Sequence, residues 1–309
     1  MKTFNLDRRG FLLSAAALMA CSNQPVKIDA PKRIAITMDD FHLSFDVKLN
    51  PRERNERILE ALDKYGHKAA GFVTGRFVDN PFGDEVVQSW SDAGHLIGNH
   101  TYSHMNSTDE PFEVIQVDII KNDALLQKYD GYEKIFRFPF LAEGGSIEKI
   151  DRYREFLKQA GYRYGPVSTQ SIDWYTTSRM EARLKASADA DLAGYRDYYV
   201  KTVIDIAEHF HSLAARIGFA DMPHNLLVHH NILNGLFLGD VMQALKDKGW
   251  EFMDARKVFE HPVYESEPRL PNAGRSLVAV LAQEQGLDDI AFPKAYHGFG
   301  KKTMDALGL

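Results

Sequence analysis

Arg33-Ile34-Ala35-Ile36-Thr37-Met38 is a short apolar run that ends at two carboxylates, Asp39 and Asp40. Its length and composition predict a buried β-strand. In parallel α/β sheets, catalytic and ligand-binding groups gather in the loops after the carboxyl ends of the strands. Because consecutive side chains of a strand point to opposite faces, we expect the two carboxylates to have different roles. A pair of this kind can also simply cap the helix that follows it.

Beyond this run, strand-like and helix-like patterns alternate along the chain. Apolar residues with a helical period predict helices over residues 55–65, 85–93, 112–126, 147–160, 195–215, 241–248 and 276–285. Short apolar runs predict strands over residues 69–74, 95–99, 134–138, 225–229 and 250–253, with short extended pieces over 162–168 and 171–174. The alternation favours parallel strands with helices packed outside them. About seven such units predict an α/β fold of the (β/α)-barrel class, followed by a C-terminal extension over residues 259–309.

The composition excludes several classes of protein. Hydrophobic residues make up 44% and charged residues 26% of the 309, which is typical of a globular chain rather than a disordered or fibrous one. The net charge of −6 and the lack of a basic run argue against nucleic-acid binding. Cys21 is the one cysteine, so neither an intrachain disulfide nor a cysteine-based zinc site is expected. We expect a monomer.

Residues 1–20 have the layout of a secretory signal peptide. Basic residues precede a single apolar run, which is too short to span a bilayer as a stable anchor. Around Arg8 and Arg9 the sequence resembles the twin-arginine export signal, although Asp7 and Leu13 differ from its commonest flanks. This signal predicts a bacterial protein that is exported to the cell envelope.

Leu18-Met19-Ala20-Cys21 resembles the box of bacterial lipoproteins, in which the cysteine thiol is lipidated and the chain is cut just before it. The alternative is an ordinary signal peptide with an incidental cysteine, but the only cysteine lies where the box requires it. The polar segment that follows, residues 21–32, is interpreted as a short tether. We therefore predict a lipoprotein that is anchored to the membrane through Cys21, faces the periplasm and does not span the bilayer.

A second polar cluster, Gly98-Asn99-His100-Thr101-Tyr102-Ser103-His104, follows the predicted strand over residues 95–99. Histidines four residues apart fall on one face of a helical turn and can hold one metal ion. Such pairs also arise by chance, but this one follows a buried strand, as the aspartate pair does. Two imidazoles and one carboxylate would leave open positions for water and substrate, which is typical of a catalytic metal.

Three further polar residues interrupt or end apolar segments. Arg137 lies among phenylalanines, and a partly buried guanidinium needs a carboxylate partner, for which Asp39 is the natural candidate. Asp173 and His229 each end a predicted extended segment. Taken alone, Arg137 also fits a salt-bridged strut, and His229 also fits a structural histidine. Histidines interpreted as surface or loop residues without a role are His42, His67, His209, His211, His261 and His297.

In chain order these elements resemble the motifs of the polysaccharide deacetylase family, the NodB-homology domain of carbohydrate esterase family four. The family's patterns are Thr-Phe-Asp-Asp, His-Ser/Thr-x-x-His, Arg-x-Pro, Asp-x/Trp and Leu-x-His. The corresponding segments are Thr37-Met38-Asp39-Asp40, His100-Thr101-Tyr102-Ser103-His104, Arg137-Phe138-Pro139, Asp173-Trp174 and Leu227-Val228-His229. Each motif is weak by itself, whereas all five in this order, each at a strand end, are specific. The resemblance covers residues 33–255.

The resemblance implies a distorted (β/α) barrel over residues 33–258. It also implies a hydrolase that removes N-acetyl groups from amino sugars of a polysaccharide. A divalent metal, usually Zn²⁺, would be held by three side chains: Asp40, His100 and His104. The metal and a backbone N–H would stabilise the oxyanion that forms when water attacks the acetamide carbonyl.

The resemblance also assigns roles to the remaining motif residues. Asp39 would be the general base that deprotonates the attacking water, and Arg137 would pair with it and favour its charged form. His229 would protonate the departing amine, and Asp173 behind it would favour the charged imidazolium. The substrate pocket would include Trp174 and Pro139.

Three departures from the family pattern affect the loops around the site rather than the catalytic residue types. Phe41 stands where the family commonly has glycine after the aspartate pair. Leu141 stands where the family usually has glycine after Arg-x-Pro-x, and residues 176–223 form an insertion. The identity of the glycan therefore stays open among exopolysaccharide, peptidoglycan and chitin-like polymers, and we favour an exopolysaccharide. Two alternatives to the deacetylase are a non-catalytic glycan-binding lipoprotein of the envelope and an O-acetyl esterase on the same fold.

Overall fold

The computed structural model describes residues 30–44, 46–271, 274–287 and 292–309. The predicted signal peptide over residues 1–20, the predicted lipidation site at Cys21 and most of the predicted tether lie outside the described residues. Within the described parts of the chain, none of the helices is both long enough and apolar enough to cross a bilayer.

Among the described residues, eight strands form one sheet. They are β1 (Lys32–Asp40), β2 (Ala70–Val73), β3 (Leu96–Asn99), β4 (Tyr132–Phe136), β5 (Arg163–Tyr164), β6 (Thr169–Gln170), β7 (His224–His229) and β8 (Trp250–Phe252). Their order is β5-β4-β3-β2-β1-β7-β6, with β8 paired to the start of β1. All the pairings are parallel, and β5 and β6 lie at the two ends of the path. The structure confirms the predicted α/β fold and distorted (β/α) barrel.

Helices connect the strands, as the alternating pattern predicts. In the described regions they are α1 (Pro51–Lys64), α2 (Gly75–Val78), α3 (Pro81–Asp92), α4 (Phe112–Leu126), α5 (Ile147–Gln159), α6 (Asp173–Ala186), α7 (Ala193–Arg216), α8 (Ile232–Asp247), α9 (Ala255–Phe259), α10 (Leu277–Glu284) and α11 (Lys301–Leu307). Short 3₁₀ segments span Pro139–Leu141, Pro262–Glu265 and Lys294–Gly300.

In α6 and α8 the helix begins where the sequence analysis predicts no helix. α6 starts at Asp173, so the extended piece predicted over residues 171–174 is wrong. α8 starts well before residue 241, because Asn231 caps it and its side chain accepts the N–H of Asn234. In both cases the first turn carries buried polar side chains, which interrupt the apolar period that the prediction relies on.

β1 is the central strand, and it fixes where Asp39 and Asp40 lie. It pairs with three strands, β2, β7 and β8. Four of its apolar side chains are completely buried: Ile34, Ala35, Ile36 and Met38. Burial of a large apolar side chain contributes about 1.5–3 kcal/mol, so the register of this strand is strongly specified.

The C-terminal extension packs against the same core as the barrel. Its contributions to the main hydrophobic cluster include Val263, Tyr264, Leu277, Val278, Tyr296 and Met304. α10 and α11 therefore share buried apolar surface with the strands and helices that carry the predicted motifs.

Two buried histidines accept backbone N–H groups, one from β1 and one from the residue before β2. His67 Nε2 accepts the N–H of Ile36 at 3.0 Å, and His95 Nδ1 accepts the N–H of Ala69 at 3.1 Å. Burial lowers the pKa of His67 to about 3 and that of His95 to about 4, so both imidazoles are neutral acceptors. The interpretation of His67 as a surface residue is wrong, and His211 is also buried.

We predict that acid destabilises the wild-type protein more than the variant His67→Gln. The imidazole of His67 has a pKa of about 3 in the fold, against about 6.5 in an unfolded chain. Below pH ~6.5 only the unfolded state takes up this proton, so the stabilisation is present above that pH and is lost as the pH falls. Between pH ~7.5 and pH ~5.5 the loss from this group is about 1 kcal/mol.

Urea unfolding of the metal-free protein at those two pH values measures this loss. His67→Gln keeps an acceptor for Ile36 but does not titrate, so its free energy of unfolding should fall by about 1 kcal/mol less than that of the wild type. Equal losses in the two proteins would contradict a neutral, buried His67.

Candidate metal centre and active-site cleft

The strand register brings the predicted motifs to one edge of the sheet. One row of paired residues crosses four strands: Asp40, Val73, Asn99 and Phe136. The residues that follow this row on β3 and β4 are His100 and Arg137. On the other side of β1, Asp39 is paired with His229 at the end of β7. Residues far apart in the sequence are therefore neighbours at the carboxyl ends of the central strands.

Asp40, His100 and His104 form a compact group. One ligand atom from each lies within 4.8 Å of the others. Asp40 Oδ1 is 3.0 Å from His104 Nε2 and 3.4 Å from His100 Nε2. Asp40 has a left-handed backbone conformation with φ 76°, which ends the alternation of the strand and lets its carboxylate reach the histidines.

The hydrogen bonding of this group fits a bound divalent cation. The Nδ1–H of His100 donates to the backbone carbonyl of Arg137 at 2.9 Å, so Nε2 is the ring nitrogen that faces Asp40. Asp40 Oδ1 is buried and accepts no hydrogen bond of good geometry within the described parts of the chain. Burial alone would raise the pKa of Asp40, but the two histidines and His229 hold it well below its usual range. An ionised carboxylate and two imidazole nitrogens are a Zn²⁺ ligand set with positions left open.

The segment that carries the two histidines is a loop, so the predicted helical turn over His100–His104 is wrong. Thr101 has φ 64° and His104 has φ 55°, both in the left-handed region. The side chain of Asn99 accepts the N–H of Thr101 at 2.9 Å, and Asp118 of α4 accepts hydrogen bonds from Ser103. These side-chain contacts replace helical hydrogen bonds and hold the imidazoles together.

Asp39 is held by a fully buried ion pair. Arg137 Nη1 donates to Asp39 Oδ1 at 2.6 Å and to Thr37 Oγ1 at 2.9 Å, and its Nε donates to the carbonyl of Gly165 at 2.9 Å. Arg137 is 0% exposed, and burial lowers its pKa, while the charge of Asp39 opposes that shift. The second oxygen of Asp39, Oδ2, lies 3.8 Å from His100 Nε2 and faces the metal group.

A second buried carboxylate, Asp173, orients His229. The Nδ1–H of His229 donates to Asp173 Oδ1 at 2.8 Å, and the backbone N–H of His229 donates to Oδ2 at 2.8 Å. Burial alone would lower the pKa of His229, but Asp173, with smaller contributions from Asp40 and Asp39, raises it to about 10. The imidazole is therefore protonated at neutral pH, with its Nε2 side left free of Asp173.

Three neutral residues that the sequence analysis did not identify hold Asp173 in place. Ser171 Oγ donates to Oδ1 at 2.8 Å, and the side-chain amides of Asn231 and Asn234 each donate to Oδ2 at 2.9 Å. The asparagines lie at the start of α8, in the part of the helix that the sequence analysis left out. Their spacing of three residues, directly after His229, is an N-cap signal that could have identified them.

These groups open onto one cavity of about 720 Å³. Its polar lining at the strand ends includes Asp39, Asp40, His100, His104 and His229. Arg137 and Asp173 are buried behind Asp39 and His229 and do not line it. Of the two predicted pocket residues, Trp174 lines the cavity, whereas Pro139 is buried. Phe140 takes its place, because its left-handed backbone turns its ring to within 4.6 Å of the His104 ring.

The comparison with protein families supports what this geometry indicates. The model of the polysaccharide deacetylase family matches residues 27–165, which include Asp39, Asp40, both histidines of the metal group and Arg137. Over these residues the chain is similar to the polysaccharide deacetylase family.

The chain is also similar in sequence to curated deacetylases and in fold to a solved structure. Two peptidoglycan-N-acetylglucosamine deacetylases of Bacillus cereus are 28% and 32% identical over 142 and 133 residues. These alignments cover 46% and 43% of this chain and 46% and 54% of the relatives, so the chain spans about half the length of the curated relatives that it matches. A mutant of a CE4-family pseudoenzyme with restored activity has a similar fold, with a TM-score of 0.51 and 20% identity over 74% of this chain and 66% of that one.

We predict that the purified protein binds about one Zn²⁺ per chain and that His100→Ala or His104→Ala abolishes this binding. Two remaining protein ligands hold a catalytic metal poorly. His42→Ala is the matched control, because His42 lines the same cavity but is hydrogen-bonded to Ser44 rather than to the metal group. Equilibrium dialysis followed by metal analysis gives the stoichiometry, and a double histidine variant with unchanged zinc content would rule out this site.

Proposed function

We propose that this chain is a metal-dependent hydrolase that removes N-acetyl groups from amino sugars of an envelope or secreted polysaccharide. One observation carries the proposal. A single cavity brings together a His-His-Asp group suited to a divalent metal, a buried carboxylate, Asp39, and a protonated imidazole, His229. Amide hydrolysis needs a base on one side of the carbonyl and an acid on the other, and this arrangement offers both.

Asp39 is the general base in this mechanism. Its Oδ1 is engaged by Arg137 and its Oδ2 faces the metal group, so only Oδ2 is available to take a proton from an attacking water. The buried guanidinium is a charged partner for the carboxylate and fixes its orientation. The pair also holds Oδ1 of Asp39 away from the histidines, while Asp40 Oδ1 lies closer to both of them and is left for ligation.

His229 is the general acid. Its imidazole is charged at neutral pH because Asp173 lies at 2.8 Å from Nδ1, and the free Nε2–H can be given to the departing nitrogen of the sugar. Asp173 also fixes the ring plane. Because Asp173 accepts hydrogen bonds on both oxygens, this orientation does not depend on the His229 contact alone.

The proposed cofactor is Zn²⁺, held by Asp40, His100 and His104. When bound, a divalent metal supplies Lewis acidity, which makes water a stronger nucleophile near neutral pH and polarises the carbonyl under attack. The choice of an N-acetylated glycan rests on the family match and on the curated relatives, which are peptidoglycan deacetylases. Within that class we favour an exopolysaccharide over peptidoglycan.

Acetate release from an N-acetylglucosamine oligomer tests the proposed function. The zinc-loaded protein should release acetate, a chelator should abolish release, and added Zn²⁺ should restore it. The same assay on an O-acetylated glycan separates the deacetylase from an esterase. A zinc-loaded protein that releases acetate from the ester alone, or from neither glycan, would contradict the proposal.

We predict that kcat/KM follows a bell-shaped dependence on pH and that Asp173→Asn moves the basic limb to lower pH. Loss of the carboxylate removes the main interaction that raises the pKa of His229. The imidazolium should therefore lose its proton at a pH about one to three units lower. Ser171→Ala is the control, because it removes a neutral contact to the same carboxylate and should move this limb little. An unchanged basic limb in Asp173→Asn, with zinc and the fold intact, would exclude His229 as the acid.

We also predict that Asp39→Asn lowers kcat by about 10²–10⁴ while the protein keeps its zinc. An amide has the shape of the carboxylate but cannot accept the proton, and the loss is the range usual for general acid–base groups. Asp40→Asn is the matched variant, which should lose zinc as well as activity. If Asp39→Asn lost the metal and Asp40→Asn retained it, the roles of the two aspartates would be exchanged.

We propose further that Cys21 is lipidated after export and anchors the protein to a membrane of the cell envelope. The support is the lipoprotein box at the end of a twin-arginine-like signal, over residues 1–21. Cys21→Ala should move the exported protein from the membrane fraction to the soluble fraction with its acetate release unchanged. A variant that stays in the membrane fraction would show that another segment anchors it.

A further inference from the structure

Three large aromatic side chains surround the cavity although each is about half exposed. They are Phe140 (55%), Trp174 (44%) and Phe299 (47%). Phe140 lies beside His104 on the metal side, whereas Phe299 packs edge-on against Trp174 with ring centroids 4.7 Å apart. Trp174 directly follows Asp173, the partner of His229. Phe299 comes from the C-terminal segment, outside the residues that match the family.

The backbone at Phe299 is in a conformation that aromatic residues rarely adopt. Its φ is 60°, and the glycines on either side, Gly298 and Gly300, have φ values of 60° and 74°. A left-handed backbone costs a residue with a Cβ about 1–2 kcal/mol. The side chain is also half exposed to water, so core packing does not compensate for this cost. The conformation places a large aromatic ring at the cavity.

The segment around Phe299 is anchored to α6, the helix that begins with Asp173 and Trp174. Arg179 pairs with Asp305 at 2.8 Å and also donates to the carbonyl of Leu309. Arg183 donates to the carbonyl of Gly308 at 2.6 Å. One helix therefore carries the partner of His229, one wall of the cavity and the anchor of the segment that supplies Phe299.

A close approach fixes the other side of the segment. A Cβ at Gly300 would lie 2.0 Å from the hydroxyl oxygen of Tyr198 on α7, so this position accepts only glycine without rearrangement. Tyr296 and Met304, on either side of this contact, are buried in the main core. Phe299 is therefore held on a fixed support at the cavity edge rather than on a free end.

We propose that Phe299 and Trp174 form an aromatic wall that binds a pyranose ring of the glycan, so that the C-terminal segment determines specificity. This inference rests on the proposed function. A pyranose ring has apolar C–H faces and a polar hydroxyl edge, and a planar aromatic side chain can bury the face while the hydroxyls stay hydrated. The same cavity carries charged groups at its base, which favours a polar ligand with an apolar face over a purely apolar one.

Removing the ring tests the wall. Phe299→Ala should raise KM for an N-acetylglucosamine pentamer about tenfold with kcat little changed, since the wall binds sugar but does not touch the reacting atoms. Hydrolysis of vinyl acetate, which has no sugar ring, should be unaffected. Phe299→Tyr should restore the wild-type KM, and Phe299→Leu, which keeps apolar volume but no planar face, should not. The matched control is Leu307→Ala, an exposed apolar residue of the same segment that does not line the cavity.

Binding gives a readout that does not depend on turnover. Titration of the pentamer into Asp39→Asn protein, followed by tryptophan fluorescence, should give a dissociation constant about tenfold weaker when Phe299→Ala is added. If the wild type releases no acetate, the proposed function fails, and this titration still decides the role of Phe299. An unchanged KM and an unchanged dissociation constant in Phe299→Ala would overturn the proposal that Phe299 binds the sugar. An equal loss of vinyl acetate hydrolysis in Phe299→Ala would also overturn it, by showing that the residue only supports the fold.

Discussion

The buried ion pair between Arg137 and Asp39 is the constraint on which the site depends. A fully buried guanidinium is tolerated only with a carboxylate and further acceptors, and the fold supplies Thr37 and Gly165 in addition to Asp39. Removing one partner of such a pair typically costs about 3–5 kcal/mol, so Asp39 cannot leave Arg137 to become a metal ligand. The neighbouring Asp40 is left for that role, and its left-handed backbone turns it toward the histidines.

The same principle organises the rest of the cleft, because each carboxylate at the strand ends has its own partner. Asp39 is paired with Arg137, Asp173 with His229, and Asp40 faces the two imidazoles that complete a metal ligand set. Each pairing gives a partner to a carboxylate whose burial without one would be costly. The pairings also hold apart the three groups to which we assign proton uptake, proton donation and metal ligation.

The fold and most of the candidate site follow from the sequence because they depend on local patterns. Apolar runs that end in Asp39, His100 and Arg137 can be recognised in the sequence as strands, and parallel pairing then brings their carboxyl ends together. The loop geometry was less predictable. The spacing of His100 and His104 fits a helical turn. Hydrogen bonds that Thr101 and Ser103 donate to Asn99 and Asp118 favour a loop instead, and neither acceptor stands out in the sequence.

Other features depend on long-range contacts that no local pattern reveals. His67 is polar and follows a helix, and this pattern predicts a surface position. Its imidazole is instead buried, where it accepts the N–H of Ile36 in β1. Phe299 lies in a segment with little periodicity, and its position at the cavity is set by the anchoring of that segment on α6 and α7. Tertiary contacts of this kind override local propensity in both cases.

Anomalous diffraction at the zinc edge from crystals of the zinc-loaded protein tests the central assignment most directly. We expect one strong peak about 2.0–2.2 Å from the Nε2 atoms of His100 and His104 and from a carboxylate oxygen of Asp40, with Asp39 still bound to Arg137. A peak coordinated by Asp39, or zinc bound away from these three residues, would contradict the division of roles between the two aspartates.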